Sequence, residues 1–275
     1  MNKDKKNITS IAIGGFDGMH IAHQSLFNNL TSNGAIIAIE TGHANMTPKE
    51  QREKCTTFPI FYYELNDIKN LSGKEFIKLL KSEFPKLKKI VVGFDFCFGK
   101  NRANSTEELK SLFDGEVVVV NEISINDIAI HSRIIREYIK NGDFETANTL
   151  LGRKYEIKGT QIKGQGLGKS DFVPTINLDI KEYLLPNEGV YITKTKVDNV
   201  SYPSISFLGH RVTTDGNFAV ETHILNKDIS AHNSNISIKF FKKLRDNQKF
   251  DSFEKLKEQI VNDINDCKIY FNLNL

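Results

Sequence analysis

The stretch Gly14–His23, GGFDGMHIAH, concentrates the residue types most suited to chemistry. An apolar run ends at Ile13, and Gly14-Gly15 then makes a tight turn. Gly15 and Gly18 let the backbone approach a phosphate closely. His20 and His23 are three apart at a predicted helix start, so they share one face. A helix N-terminus adds free N–H groups that favour anions. Gly14, Gly15, Phe16, Asp17 and Gly18, with the two imidazoles, therefore form a candidate polyphosphate cradle. The plain alternative is two surface histidines beside an ordinary βα turn. A second, weaker phosphate signal is the glycine-rich Gly159–Gly168, GTQIKGQGLG, with Gly164, Gly166 and Gly168. A flexible β-turn explains that stretch as well. A third group is Glu221-Thr222-His223. In a strand, Glu221 and His223 share one face and Thr222 takes the other. A carboxylate facing into a small barrel is costly unless it has work or a partner.

The elements that position these groups follow two grammars. The first half alternates apolar runs (Ile11–Ile13, Ala35–Glu40, Pro59–Leu65, Lys89–Phe94, Glu116–Asn121) with helical stretches near 22–31, 48–54, 73–83 and 104–113. Continuous apolar runs suit strands buried on both faces. Alternation of β and α predicts a parallel sheet flanked by helices, a Rossmann-like α/β domain. Its ligand edge is the C-terminal end of the strands, where Gly14 falls. Two more helices are predicted near 132–140 and 143–151, the second with Asp143 as N-cap. From Lys154 the chain reads as short strands (Tyr155–Thr160, Thr175–Asp179, Val190–Lys196, Ser204–Leu208, Ala219–Leu225, Asn235–Phe241). Asp198-Asn199 and Asp215-Gly216 give turn signals. That predicts an all-β second part, a small antiparallel β-barrel. Phe253, Leu256, Ile260, Ile264 and Cys267 have helical spacing, so a terminal helix should pack on the barrel. The expected domains are 1–152 and 153–275.

Composition narrows the function classes. The 275 residues are 39% hydrophobic and 26% charged, enough apolar content for a core and against wholesale disorder. No apolar run reaches the roughly 18–20 residues of a membrane span. The polar start MNKDKKNITS lacks a secretion signal, and three cysteines without metal-ligand spacing fit a reducing compartment, so the expected location is cytoplasmic. A net charge of +3 is too balanced for a protein that coats nucleic acid, and no membrane partner is expected.

Gly14–His23 resembles the HxGH signature of nucleotidylyltransferases, in the GxFDGxHxGH form of bacterial FAD synthetases. MTPKEQREK at 46–54, LSGKEFIKLL at 71–80 and VVGFDFCFGKNRANSTEEL at 91–109 resemble later segments of that family in order. IHSRIIREYIKNGDFETANTLLGRKYEIKG at 130–159 resembles its ISSTRIR segment and the passage into a kinase domain. Pro174-Thr175-Ile176-Asn177 resembles the PTAN motif of riboflavin kinases, and Gly189-Val190-Tyr191 their GVY triplet. Across essentially the whole chain the resemblance is to the bifunctional riboflavin kinase/FAD synthetase family.

The resemblance implies two ATP-dependent reactions requiring Mg²⁺: phosphorylation of riboflavin to FMN, and adenylylation of FMN to FAD with release of pyrophosphate. It implies phosphate roles for His20, His23, Ser132 and Arg136, the last offering several N–H donors. Thr175 and Asn177 would hold ATP phosphate and Mg²⁺, as hard neutral oxygen ligands can. Glu221 would be the general base of the kinase. Asp95, Phe96 and Phe98 fall where the family approaches the flavin, though a strand end with two core aromatics describes them equally. Arg102 matches a phosphate contact at the same end, and Arg245 a position near the flavin. Several positions depart from the pattern: Ala22 for glycine, Asn104 for glycine, Arg133 for threonine, Ile134 for arginine, Phe172 for glycine, and Phe207 and Val212 for Asn and Pro. A riboflavin kinase with a weakened adenylyltransferase, or a non-catalytic flavin- or nucleotide-binding module, are the alternatives these departures leave.

Overall fold

The computed structural model describes residues 4–42, 44–162, 173–213, 215–227 and 235–273, without the side chains of Glu50 and Asn235. The chain divides into two compact units, Met1–Ile134 and Ile135–Leu275.

The first unit is a parallel sheet in the order β3-β2-β1-β4-β5. Its strands are β1 (Ser10–Gly14), β2 (Gly34–Glu40), β3 (Ile60–Glu64), β4 (Lys89–Gly93) and β5 (Glu116–Val120). The strand β1 sits at the centre, in register with β2 on one side and β4 on the other. Its alternation explains the continuous apolar run. Ile11 and Ile13 join a cluster with Phe76, Leu80 and Phe84 on one face, and Ala12 joins Phe16, Met19 and Phe27 on the other. Strand order reverses at β1 and β4, so the crevice beyond their C-terminal ends is the natural ligand edge. Between the strands run α1 (Ile21–Phe27), α2 (Lys49–Glu53), α3 (Leu65–Ile68), α4 (Gly73–Glu83) and α5 (Thr106–Leu112). The helix α4 starts where Ser72 and Glu75 form a reciprocal capping box, and it buries Phe76, Ile77 and Leu80. A short hairpin, β6 (Ser124–Ile125) with β7 (Ile128–Ala129), precedes α6 (Ser132–Asn141).

The second unit is a closed barrel in the order β10-β11-β12-β9-β8-β13. Its strands are β8 (Glu156–Ile162), β9 (Ile176–Asp179), β10 (Gly189–Val197), β11 (Val200–His210), β12 (Phe218–Ile224) and β13 (Asn235–Asp246). Two helices complete it: α7 (Phe144–Leu151), capped by Asp143, and α8 (Phe253–Tyr270). The outer face of β10 and β11 packs Val190, Ile192 and Ile205 against Ile264 and Cys267 of α8. Burial raises the Cys267 thiol to about 12, so it stays protonated. The helix is pinned by a fork of Arg245 Nε and Nη2 on the buried Asp263 carboxylate at 2.8–3.1 Å.

The barrel interior carries hydroxyl groups beside its apolar side chains. Thr193, Ser204, Thr195, Thr222 and Ser206 close a ring of hydrogen bonds at 2.7–3.0 Å. A hydroxyl donates one bond and accepts others, so such a ring satisfies every buried member. Thr222 therefore faces inward. Glu221 and His223 face outward, which corrects any reading of Glu221 as an inward carboxylate. The interior accepts neutral hydroxyls, whereas the charged group stays half-exposed and paired.

At the barrel lip Glu188 accepts from His210 N at 2.9 Å, His210 Nδ1 at 2.7 Å and Asn247 Nδ2 at 2.8 Å. The His210 backbone N–H first, then its ring and Asn247, hold the Glu188 carboxyl down at about 2. A group lowered in the folded state contributes stability above its unfolded pKa and loses it as pH falls. The melting midpoint of the parent should therefore fall more steeply than that of Glu188→Gln between about pH 4.5 and about pH 2. Parallel curves in thermal melts across that range would contradict this.

Candidate functional site

In the first unit the loop after β1 is held in a backbone shape that side chains resist. Phe16 has φ 52°, Met19 φ 42° and Gly18 φ 88°. Non-glycine residues there are uncommon, and such strain persists only when packing over-determines it. Here Phe16 is buried and meets Phe27 and His23 edge-on, each at 5.1 Å. A Cβ on Gly14 would press on the Phe16 ring at 3.0 Å, whereas one on Gly15 would meet only the Ile39 carbonyl oxygen at 4.0 Å, an ordinary contact. Gly14 thus serves the packing and Gly15 leaves the edge bare.

Polar bonds fix the rest of the loop. Asp17 Oδ1 accepts from Thr47 N at 3.0 Å, and Gly18 N donates to Thr47 Oγ1 at 2.6 Å. Thr47 in turn is held by Arg52, whose Nε donates to the Thr47 carbonyl at 3.0 Å. Arg52 is fully buried and ion-paired with Glu40 at the end of β2. None of Thr47, Arg52 or Glu40 stood out in the sequence, where MTPKEQREK carried only a general likeness.

His20 is the N-cap of α1, and its Nδ1 accepts the His23 backbone N–H at 3.3 Å. Ser132 Oγ donates to the Asp17 carbonyl at 2.7 Å and lies 3.2 Å from His20 Nε2. The Ser132 proton is thereby used, so its oxygen is left to accept from Nε2–H. His20 is then neutral, with its proton on Nε2. The His23 ring stacks on His20 with centroids 3.5 Å apart. Two imidazolium rings that close would repel, so one of the pair stays neutral. The structure thus brings together Phe16, Asp17, Gly18, His20, His23 and Ser132. Arg136 lies on α6, one turn beyond Ser132.

The flavin-end candidates separate. Phe98 is buried against Phe76, and Phe96 stacks on Phe98 at 5.7 Å. Asp95 and Arg102 are exposed. Phe94, not singled out by sequence, is 45% exposed just past the C-terminal end of β4. Asn104 fits by close approach. Its side chain lies where a Cβ on Gly73 or Gly99 would fall, so these two glycines make room for it.

In the second unit, Glu221 on β12 stands opposite Asn177 on β9. Arg211 joins them, with Nε donating to Glu221 Oε1 at 2.7 Å and Nη2 to Asn177 Oδ1 at 2.9 Å. Its Nη1 reaches Asp215 Oδ2 at 3.2 Å. Sequence reading passed over Arg211 because it sits in a segment noted only for its departures. His223 Nδ1 donates to the Pro174 carbonyl at 2.8 Å, which anchors the chain entering exposed Thr175. Asn177 itself is buried but turns its Oδ1 to a cation. Arg245, expected near flavin, commits its fork to Asp263. Gly164, Gly166, Gly168 and Phe172 lie outside the described residues. Among the described residues, no group of three or more His, Cys, Asp or Glu side chains is placed to cage a metal ion. No helix among them is long and apolar enough to cross a membrane.

Comparison with known proteins follows the same division. A riboflavin kinase family model matches residues 151–271, and an FAD synthetase model matches 59–134. The bifunctional riboflavin kinase/FMN adenylyltransferase of Bacillus subtilis is 27% identical over 98% of this chain and 95% of its own length. That of Buchnera aphidicola is 29% identical over 99% and 96%. A Streptococcus pneumoniae crystal structure described as a macrolide-efflux protein has a TM-score of 0.86 at 25% identity, covering 95% of this chain and 94% of that one. Two family models matched in order along the chain, with relatives aligned end to end, place this chain in the bifunctional riboflavin kinase/FMN adenylyltransferase family.

Proposed function

We propose that the chain phosphorylates riboflavin to FMN in its barrel and transfers AMP from ATP to FMN in its α/β unit, releasing pyrophosphate. The observation that carries this is that each unit holds its own constellation: His20, His23 and Ser132 in one, Glu221, Asn177 and Arg211 in the other. Adenylyl transfer needs no covalent nucleophile from the protein. It needs positioned phosphates and stabilised charge on the leaving pyrophosphate. The glycine turn and the stacked histidines supply that, with Arg136 as a further donor. Asp95, Phe96 and Arg102 serve the flavin end, and Phe98 supports Phe96 from beneath.

In the barrel Glu221 takes the proton of the riboflavin ribityl hydroxyl as its oxygen attacks the γ-phosphate of ATP, and the bond to the bridging oxygen breaks to release ADP. Thr175 and Asn177 would hold Mg²⁺ together with ATP phosphates. The donor set fits, because this cation prefers one or two hard oxygens plus substrate phosphate over an all-protein cage. Bound there, the ion neutralises charge on the transferring phosphates. Arg245 then acts by fixing α8. The cysteines Cys55, Cys97 and Cys267 are all thiols, which suits the cytoplasm.

Modularity tests the assignment. The kinase residues all lie in 153–275, but α7 is part of the barrel's packing. Phe144 stacks on Phe240 at 4.6 Å, and Asn148 bonds the Phe240 carbonyl at 3.0 Å. A fragment beginning at Ile135 should fold, convert riboflavin to FMN and make no FAD. One beginning at Leu151 should be far less stable, since losing a buried Phe alone costs about 3–5 kcal/mol. A folded Ile135 fragment that binds riboflavin but never phosphorylates it would refute the placement of the kinase.

A further inference from the structure

Arg211 lies between the two groups on which the kinase reading depends. Its guanidinium spends one nitrogen on each of Glu221, Asn177 and Asp215. It is itself held firmly. Arg211 N donates to the Asn217 carbonyl at 3.0 Å and Gly216 N to the Arg211 carbonyl at 3.1 Å. Asp215 is fixed by Asn217 through N at 3.1 Å and Nδ2 at 2.8 Å. These bonds deliver a planar fork to the edge of β12 and β9. Arg211 Nε bonds Oε1 of Glu221, which assigns Oε2 to the substrate proton. A planar fork fixes the carboxylate plane as a lysine ammonium cannot.

The second bond has a different meaning. Asn177 Oδ1 is the atom a divalent cation would use, and a guanidinium N–H already sits on it. Two cations on one oxygen repel. We infer that Arg211 is a positioning residue of the kinase site: it aims Glu221 at the substrate hydroxyl and holds the cation's place on Asn177 Oδ1 until metal and nucleotide arrive. This rests on the kinase reading above.

The test uses the full chain with Arg211→Met and Arg211→Lys. Riboflavin phosphorylation by Arg211→Met should fall ~10–100-fold in kcat, the scale of a misplaced catalytic group, with the riboflavin KM little changed. FAD formation from supplied FMN should stay at the parent rate, and the unchanged riboflavin KM shows that the barrel is folded. Arg211→Lys should keep the charge but lose the fork, and fall between the two. Adding Arg211→Met to Glu221→Gln should cost little more than Glu221→Gln alone, because the arginine acts through the carboxylate. The non-kinetic arm is Mn²⁺ titration followed by electron paramagnetic resonance at saturating ADP. Arg211→Met should bind Mn²⁺ more tightly than the parent, by about tenfold, since a competing cation is gone. Parent kcat together with parent Mn²⁺ affinity in Arg211→Met would overturn the inference, as would fully additive losses in the double variant. If the parent makes no FMN at all, the kinase reading fails, and the Mn²⁺ arm still decides whether Arg211 holds the cation's place.

Discussion

Glu221→Gln is expected to lower FMN formation ~10²–10⁴-fold, the usual cost of losing a general base, while FAD formation from supplied FMN stays unchanged. The substitution is nearly isosteric. The amide oxygen can still accept from Arg211 Nε, now 2.7 Å from Glu221 Oε1, so the local bonding survives. What is lost is the second oxygen as a proton acceptor. Because Glu221 faces outward, the hydroxyl ring behind Thr222 is not disturbed. Unimpaired phosphorylation of riboflavin by this variant would remove Glu221 from the mechanism.

His23→Ala should cut FAD formation from FMN by ~10²–10³-fold, the scale for removing a group that stabilises developing charge. Riboflavin phosphorylation should continue at the parent rate. His23 is a cleaner probe than His20. The His20 ring also caps α1 and bonds Ser132, so its removal adds a capping loss of about 1 kcal/mol and loosens the loop. The His23 ring lies on the outer side of that arrangement, stacked on His20 and edge-on to Phe16. Equal loss of both activities would indicate damage to the whole chain, and unchanged FAD formation would sink the cradle assignment.

How much of this was legible in the sequence depended on whether the signal was local. The helix α4 was readable to the residue, because a capping box and an apolar face with helical spacing both lie within it. The buried strands were readable as apolar runs bounded by glycine and charge. The run Ser204–Leu208 covers only part of β11. The strand starts at Val200 and runs through Pro203, with Val200 to Leu208 paired to β10. The short helix α3 and the β6–β7 hairpin were missed, being too brief to show a period.

The site shows the same divide. The glycine turn, His20, His23, Asn177 and Glu221 announce themselves by residue type in short motifs. Thr47, Arg52 and Arg211 do not, because each gains meaning only through a partner 10 to 34 residues away in sequence, such as Glu221 or Asn177 for Arg211. Phe98 shows the opposite limit. An aromatic beside a glycine reads equally as a ligand platform or as core, and only burial against Phe76 decides. The departures at Ala22, Arg133 and Ile134 leave the cradle's hydrogen bonds standing, since those run through His20, Ser132 and the backbone of Asp17.

The most direct test of the whole account is a single incubation of the purified full chain with riboflavin, ATP and Mg²⁺, with the flavins resolved chromatographically over time. Two units working in sequence predict that FMN appears first and FAD follows, with inorganic pyrophosphate released in step with FAD. Riboflavin that is bound but recovered unchanged would contradict the account.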